Sequence, residues 1–564
     1  MKRLTTQSDE SPARSEVLLA WTFLALTLVL WVVYVLRFRV ESDEPQHLHV
    51  VWGWARGMIQ YRDFFDNHTP LFHMLCAPLV VLLGDRADLL VLMRLAMLPL
   101  WVLSVRCVYL IGARAFSRRI GLWSAVVTAA APPLLLRLVE FRADTLWVLL
   151  WLAALAVMLG SPVTRRRWFV AGLLLGSAAG VSLKTTFLLA GLAGAMMVTV
   201  LATARTYPWR RDLPRLAGAA SSALLGFLVV PLALVLLFAA LGALEPFYHG
   251  TIGHNLLPGL GRFQWYRVVA TLGVLLVGVL AALPDLRQTP ATGRTLRRTC
   301  ILSLGGTLLA ALVFWPIRTV QSLMPIYPPL ILLVLVCIDR VGGRLLRLWR
   351  RGARTWALPS AAGVLAAVLL GWLVFHVPRE NNVAPHVRTW QDVLRLTDPG
   401  QTVMDQKGEL IFRRRVWYPV LEELTRERLQ RGLLVDDIPE CLAAGGTCVT
   451  SFGRMPPRAT AFIRENFVSV GRLNVAGMFL GGEDAVVHNA AIVFEVKVPA
   501  TYSVVTPSGR GTGLLDGTPC GGGRFLEAGR HAYRPAAGES HLALVWTQAV
   551  DRGFLPLWSS ETSP

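Results

Sequence analysis

Apolar runs of about twenty residues recur along this 564-residue chain, and arginines gather in every second loop between them. An α-helix rises about 1.5 Å per residue, so a run of that length crosses the hydrocarbon layer of a bilayer, about 30 Å thick. Inside lipid no water can satisfy backbone N–H and C=O groups, and runs this long meet the requirement only as helices. Eleven runs fit, at about 17–36, 88–112, 120–138, 145–160, 168–183, 185–204, 216–242, 266–284, 299–315, 322–338 and 355–376. The expected fold class is a polytopic α-helical membrane protein. Composition agrees, with 54% hydrophobic residues and only 16% charged.

The formal charge of +20 suggests nucleic acid until the arginines are placed. They cluster at 114–119, 165–167, 205–215, 287–298 and 340–354, always on one side of the alternating runs. That is the positive-inside pattern, so the excess records topology and contact with anionic lipid, and no nucleic-acid partner is expected. The N-terminus is placed in the cytoplasm and the C-terminal part outside. The first run, flanked by Lys2, Arg3 and Arg14, is too long for a signal core and lacks an A-x-A site, so it reads as a retained span. Pro70 to Gly84 is too short for a full span, and counting it as one would put the arginines outside. A re-entrant or interfacial helix is expected there.

Five carboxylates (Glu41, Asp43, Glu44, Asp63, Asp66) and four histidines (His47, His49, His68, His73) crowd the loop after the first span. Acidic groups at a membrane surface are expensive to keep without a purpose, so this loop reads as the active site of an enzyme acting on a lipid-linked substrate. Within it, residues 45–60 have helical amphipathic spacing. Leu48, Val51, Trp52, Ala55, Met58 and Ile59 share one face; Gln46, His49, Gly53, Arg56 and Gln60 share the other. A helix lying along the membrane surface is expected.

Beyond residue 376 the composition changes. Residues 377–490 mix short strand-like runs with a charged helix and read as a small α/β domain, whereas 491–564 alternate in strand fashion between Gly-rich turns and read as a β-rich, sandwich-like domain. Neither segment presents a catalytic pattern. The seven cysteines lack metal-ligand spacing; Cys441 and Cys448 form a disulfide or stay free.

Asp43-Glu44 after the first span, the run GMIQYRDFFDNHTPLFH, EFRAD at 140–144 and GLLLGSAAGVSLKTT at 172–186 resemble the GT-C membrane glycosyltransferases. That group includes the protein O-mannosyltransferases and the bacterial aminoarabinose and lipopolysaccharide-core sugar transferases. The resemblance covers about residues 1–340 and implies a GT-C fold in a bacterial cytoplasmic membrane. It also implies a polyprenyl-phosphate-linked sugar as donor, inversion at the anomeric carbon and an extracytoplasmic acceptor hydroxyl. Asp43 matches the family's base and Glu44 its motif neighbour; alternatively both acids cap the following helix. Lys184, Arg142 and Arg318 are the candidates to meet the leaving phosphate, with snorkelling the plain alternative for Lys184. Asp66, His68, Asp144, Tyr248 and His249 are candidate substrate-binding residues. No cofactor is required; a divalent cation at Asp43, Asp144 and His68 stays open. Arg94, inside the second span, matches an arginine of the family and needs a carboxylate partner from the first loop. Rival readings are a transporter of lipid-linked sugars and an O-antigen ligase-type transferase. The acceptor, whether glycolipid, envelope glycan or protein, is left open.

Overall fold

The computed structural model describes residues 11–259, 264–288, 290–315, 319–349, 354–480, 486–488 and 491–558. Helices occupy all eleven expected runs: α1 (Arg14–Arg37), then α2 (Asp43–Ala55) and α3 (Leu71–Leu83) in the first loop, α4 (Leu89–Leu95) with α5 (Leu98–Ala115), α6 (Arg118–Ala130) with α7 (Pro132–Leu138), α8 (Ala143–Met158), α9 (Arg165–Val181), α10 (Thr185–Thr203) and α11 (Trp209–Ala240). The short α12 (Leu244–Tyr248) precedes α13 (Trp265–Leu286), α14 (Gly293–Val313), α15 (Tyr327–Trp349) and α16 (Arg354–Phe375). Among the described residues seven helices, with Leu89–Ala115 taken as one, are long and apolar enough to cross a bilayer unaided, and up to eight if α6 and α7 form one broken span. That pair is bent by 65° where Pro132 and Pro133 interrupt the ladder of backbone hydrogen bonds. The 13-residue α3 is short of a span, as its length in the sequence required.

Polar contacts divide between the two ends of the bundle. At one end Arg119, opening α6, pairs with Glu16 in the first turn of α1, and Arg298 of α14 reaches Asp285 of α13 at 2.6 Å. The carboxylate-rich loop caps the other end of α1. Between the ends the wall is apolar, with Trp31, Trp123, Trp147 and Trp151 completely buried.

Small residues set the closest helix contact. A Cβ on Gly172 of α9 would lie 1.9 Å from the Ala223 carbonyl of α11, and one on Gly226 of α11 would lie 2.1 Å from the Phe169 carbonyl of α9. The two backbones therefore touch, the arrangement small residues permit in lipid. The helix α9 ends at Val181, and Lys184 follows in the turn to α10.

The C-terminal part begins with α17 (Ala384–Leu396) and, among the described residues, contains a five-stranded and a seven-stranded sheet, both antiparallel. In the larger sheet the strand Asn474–Leu480 pairs with Leu542–Trp546, Leu480 facing Leu542. Residues before and after 490 thus share one sheet and one apolar core, from Val393 to Ala549. All seven cysteines, Cys441 and Cys448 included, are free.

This C-terminal part rests on the first loop and on the segment that follows α12. His49 Nδ1 lies 2.7 Å from the Ile411 carbonyl, His254 Nε2 lies 2.7 Å from Glu422, and Tyr418 donates to the Tyr61 carbonyl. The helix α2 stops at Ala55, short of the expected residue 60, and His49 is buried together with Leu48. Of the expected polar face, Gln46, His49, Gly53 and Gln60 are buried in protein and Arg56 stays exposed.

Candidate active site

Asp43 is the first residue of α2, where a carboxylate is favoured by the helix dipole. Its side chain is 32% exposed and is gripped by two cations: Arg142 Nη1 at 2.7 Å and the Lys407 ammonium. Burial alone would raise the Asp43 carboxyl, but Arg142 and Lys407 outweigh it and hold the group far below the usual carboxylate range. Arg142 stands at the N-cap of α8 and also reaches Asp144 at 3.4 Å and Glu140 at 3.7 Å. Lys184, at the N-cap of α10, donates to Asp144 at 3.0 Å and lies 5.7 Å from the centre of the Trp147 ring. Trp147 in turn donates to Thr185 at 2.9 Å, which ties α8 to the start of α10. One chain of charge therefore runs Lys407, Asp43, Arg142, Asp144, Lys184 across four separate parts of the sequence.

Glu44 has a different setting. It is fully buried, accepts from Arg94 Nε at 2.7 Å, from the Phe141 N–H at 2.9 Å and from the Glu41 N–H at 3.0 Å. It supplies the first-loop carboxylate that Arg94 requires, and binds α4 and the 139–142 turn to the start of α2. Burial pushes the nearby Glu140 carboxyl up to about 8, against Arg142 and helped by the Glu44 charge.

The DNHTP run builds a second cluster. Asp66 has no exposed surface; it accepts from Gln60 at 2.7 Å and lies 2.9 Å from His68 Nδ1. His73 Nε2 and His47 Nδ1 are 2.9 Å apart. Burial pulls the His73 imidazole down to about 4, whereas for His68 the Asp66 carboxylate outweighs burial and raises it. Only His68 keeps appreciable exposure, 34% of its side chain. Tyr248 ends α12 with 58% of its surface exposed; His249 follows it, its ring centre 6.4 Å from that of His254. Arg318 lies outside the described residues.

A divalent cation needs several free oxygen or nitrogen ligands converging on one point. Asp43 and Asp144 instead face Arg142, Lys184 and Lys407, and Asp66 is taken by Gln60 and His68. Among the described residues no three His, Cys, Asp or Glu side chains are placed to hold a metal ion. The residues present do not fit one.

Lys407 is the member of this site that the sequence did not disclose. It belongs to the C-terminal part, 364 positions from Asp43, in a stretch without catalytic pattern.

No family model matches the chain, and no curated protein matches it. Among solved structures, ArnT from Cupriavidus metallidurans in the apo state is similar over 82% of this chain and 98% of its own, with a TM-score of 0.57 at 13% identity. ArnT bound to undecaprenyl phosphate is similar over the same shares, with a TM-score of 0.51 at 15% identity. The chain has the GT-C fold that its motifs led one to expect.

Proposed function

We propose that this chain is an inverting glycosyltransferase of a bacterial cytoplasmic membrane. It transfers a sugar from a polyprenyl-phosphate carrier to an acceptor hydroxyl on the extracytoplasmic side, where the arginine pattern puts the C-terminal part. The observation that carries this reading is the accessible Asp43 carboxylate flanked by Arg142, with Lys184 on the far side of Asp144, on a fold shared with a structure that holds undecaprenyl phosphate.

The acceptor oxygen attacks the anomeric carbon from the face opposite the phosphate. The carbon–oxygen bond to the phosphate breaks, its electron pair leaves with the lipid phosphate, and the acceptor proton passes to Asp43. A carboxylate held this firmly ionised is a weak base toward a free alcohol. It suffices because the hydroxyl acidifies as its oxygen bonds to an electron-poor carbon. Lys184 and Arg142 meet the charge that develops on the leaving phosphate. Asp144 aligns both cations, and Glu44 holds the loop in register. His68, oriented by buried Asp66, hydrogen-bonds the sugar or phosphate, while Tyr248 and His249 line the rim. For the prenyl tail there is an apolar cleft of about 560 Å³ between α13 and α15, lined by Ala270, Val274, Val277, Leu330, Leu333 and Val334.

The test is turnover of a panel of radiolabelled polyprenyl-monophosphate sugars by purified protein in lipid, beside Asp43→Asn. Sugar release by the wild type and its loss in the variant support the reading. Movement of donor across the bilayer without turnover supports a transporter instead.

A further inference from the structure

We propose that Lys407 is a ligand of the donor phosphate that the resting protein parks on Asp43, so that arrival of the phosphate draws Lys407 away and frees the base. The inference rests on the reading of the donor as a phosphate-linked lipid.

The residue is presented by a built turn. Asp405, 1% exposed, accepts from the Gly408 N–H at 2.8 Å, the Leu410 N–H at 2.7 Å and Arg415 Nε at 2.8 Å. Gly408 has φ +94°, and a Cβ there would lie 2.7 Å from the Cβ of His49, so only glycine lets the turn press this closely on α2. The His49–Ile411 contact locks the far side of the turn. Lys407 projects from it with 8% of its side chain exposed. Burying an ammonium is costly, and the turn aims it at the one carboxylate of the site that stays open to a ligand.

Charge then decides what the ligand is. With Glu140 kept largely neutral by burial, Arg142, Lys184 and Lys407 bring three positive charges against the two of Asp43 and Asp144, leaving a surplus of one. A phosphodiester carries one negative charge and balances it. Arg142 is shared with Asp144 and Glu140, and Lys184 is bound to Asp144, so both are anchored. Lys407, a flexible stem with three donors, is the cation suited to exchanging a carboxylate oxygen for a phosphate oxygen. Its departure leaves Asp43 with Arg142 alone and raises its proton affinity at the step where a proton must be taken up.

Asp43 and an incoming phosphate would then compete for one ammonium, which a double-mutant cycle detects. Binding of undecaprenyl methyl phosphate, a phosphodiester like the donor, to the full chain in phosphatidylcholine nanodiscs is titrated for wild type, Asp43→Asn, Lys407→Gln and the double variant, with undecaprenol as the phosphate-free control. Lys407→Gln is expected to weaken binding about tenfold and Lys407→Arg to restore most of it. Asp43→Asn is expected to tighten binding about fivefold when Lys407 is present and to change it less than about twofold when it is absent. Equal affinity of wild type and Lys407→Gln overturns the proposal, as does an Asp43→Asn effect that is the same in both backgrounds, or undecaprenol binding as tightly as its phosphate. Thermal midpoints of all variants, with the Lys407→Arg rescue, separate lost binding from lost folding. Coupling without sugar transfer from any donor would sink the glycosyltransferase reading and leave Lys407 as a phosphate ligand; transfer with no coupling would do the reverse.

Discussion

The Arg94 guanidinium lies against both carboxylate oxygens of Glu44, and neither side chain has any exposed surface. Arg94 also donates to the Val35 carbonyl at 3.1 Å and the Arg39 carbonyl at 2.9 Å, so one buried cation holds the end of α1 and the start of α2 together. Removing either partner strands the other charge. Arg94→Leu or Glu44→Ala is expected to destabilise the protein by about 3–5 kcal/mol, read as a lower unfolding midpoint in detergent. A midpoint unchanged by both substitutions would rule out this role.

Lys184→Met should lower turnover of the donor by about 10²–10³, the usual effect of removing one group that meets transition-state charge. Lys184→Arg should recover part of it. A fall in donor affinity with turnover at saturation intact would assign Lys184 to binding alone.

Acid should weaken the histidine cluster. Unfolded, His73 takes up a proton near pH 6.5; folded and buried, only at about 4. Its contribution is therefore fully present above about 6.5 and is lost as pH falls toward 4, by about 3 kcal/mol in all. The midpoint of the wild type should drop across that interval, and His73→Gln should flatten the drop even if it starts lower. Parallel curves for the two proteins would contradict this account.

Gly172→Val places side-chain atoms where the Ala223 carbonyl already stands. The expected cost is about 1–3 kcal/mol from overpacking, and α9 must shift, carrying Lys184 with it. Turnover should fall together with the midpoint, whereas Gly371→Val, on an exposed face of α16 with nothing within 4 Å, should leave both unchanged.

Legibility followed the range of the forces involved. Hydropathy is local, so every expected run became a helix, and α3 fell short of a span because its apolar segment does. Asp43, Arg142, Asp144 and Lys184 were readable because each sits where an apolar run begins or ends, and helix ends gather at one face of a bundle. Lys407 gave no such signal. Its turn is an ordinary polar DQKG stretch whose meaning depends on His49, itself far away in sequence and assigned to the polar face of a membrane-surface helix. The same distance hid the pairing of Asn474–Leu480 with Leu542–Trp546, which joins residues on both sides of position 490.

Asp43 is synthesised 364 residues before Lys407. A nascent chain released as far as α16 has made every apolar run and both acids of its site, but not the turn that clamps the first of them. Completion of the centre thus waits until the C-terminal part has been made, and a product truncated after α16 keeps Asp43 against Arg142 alone.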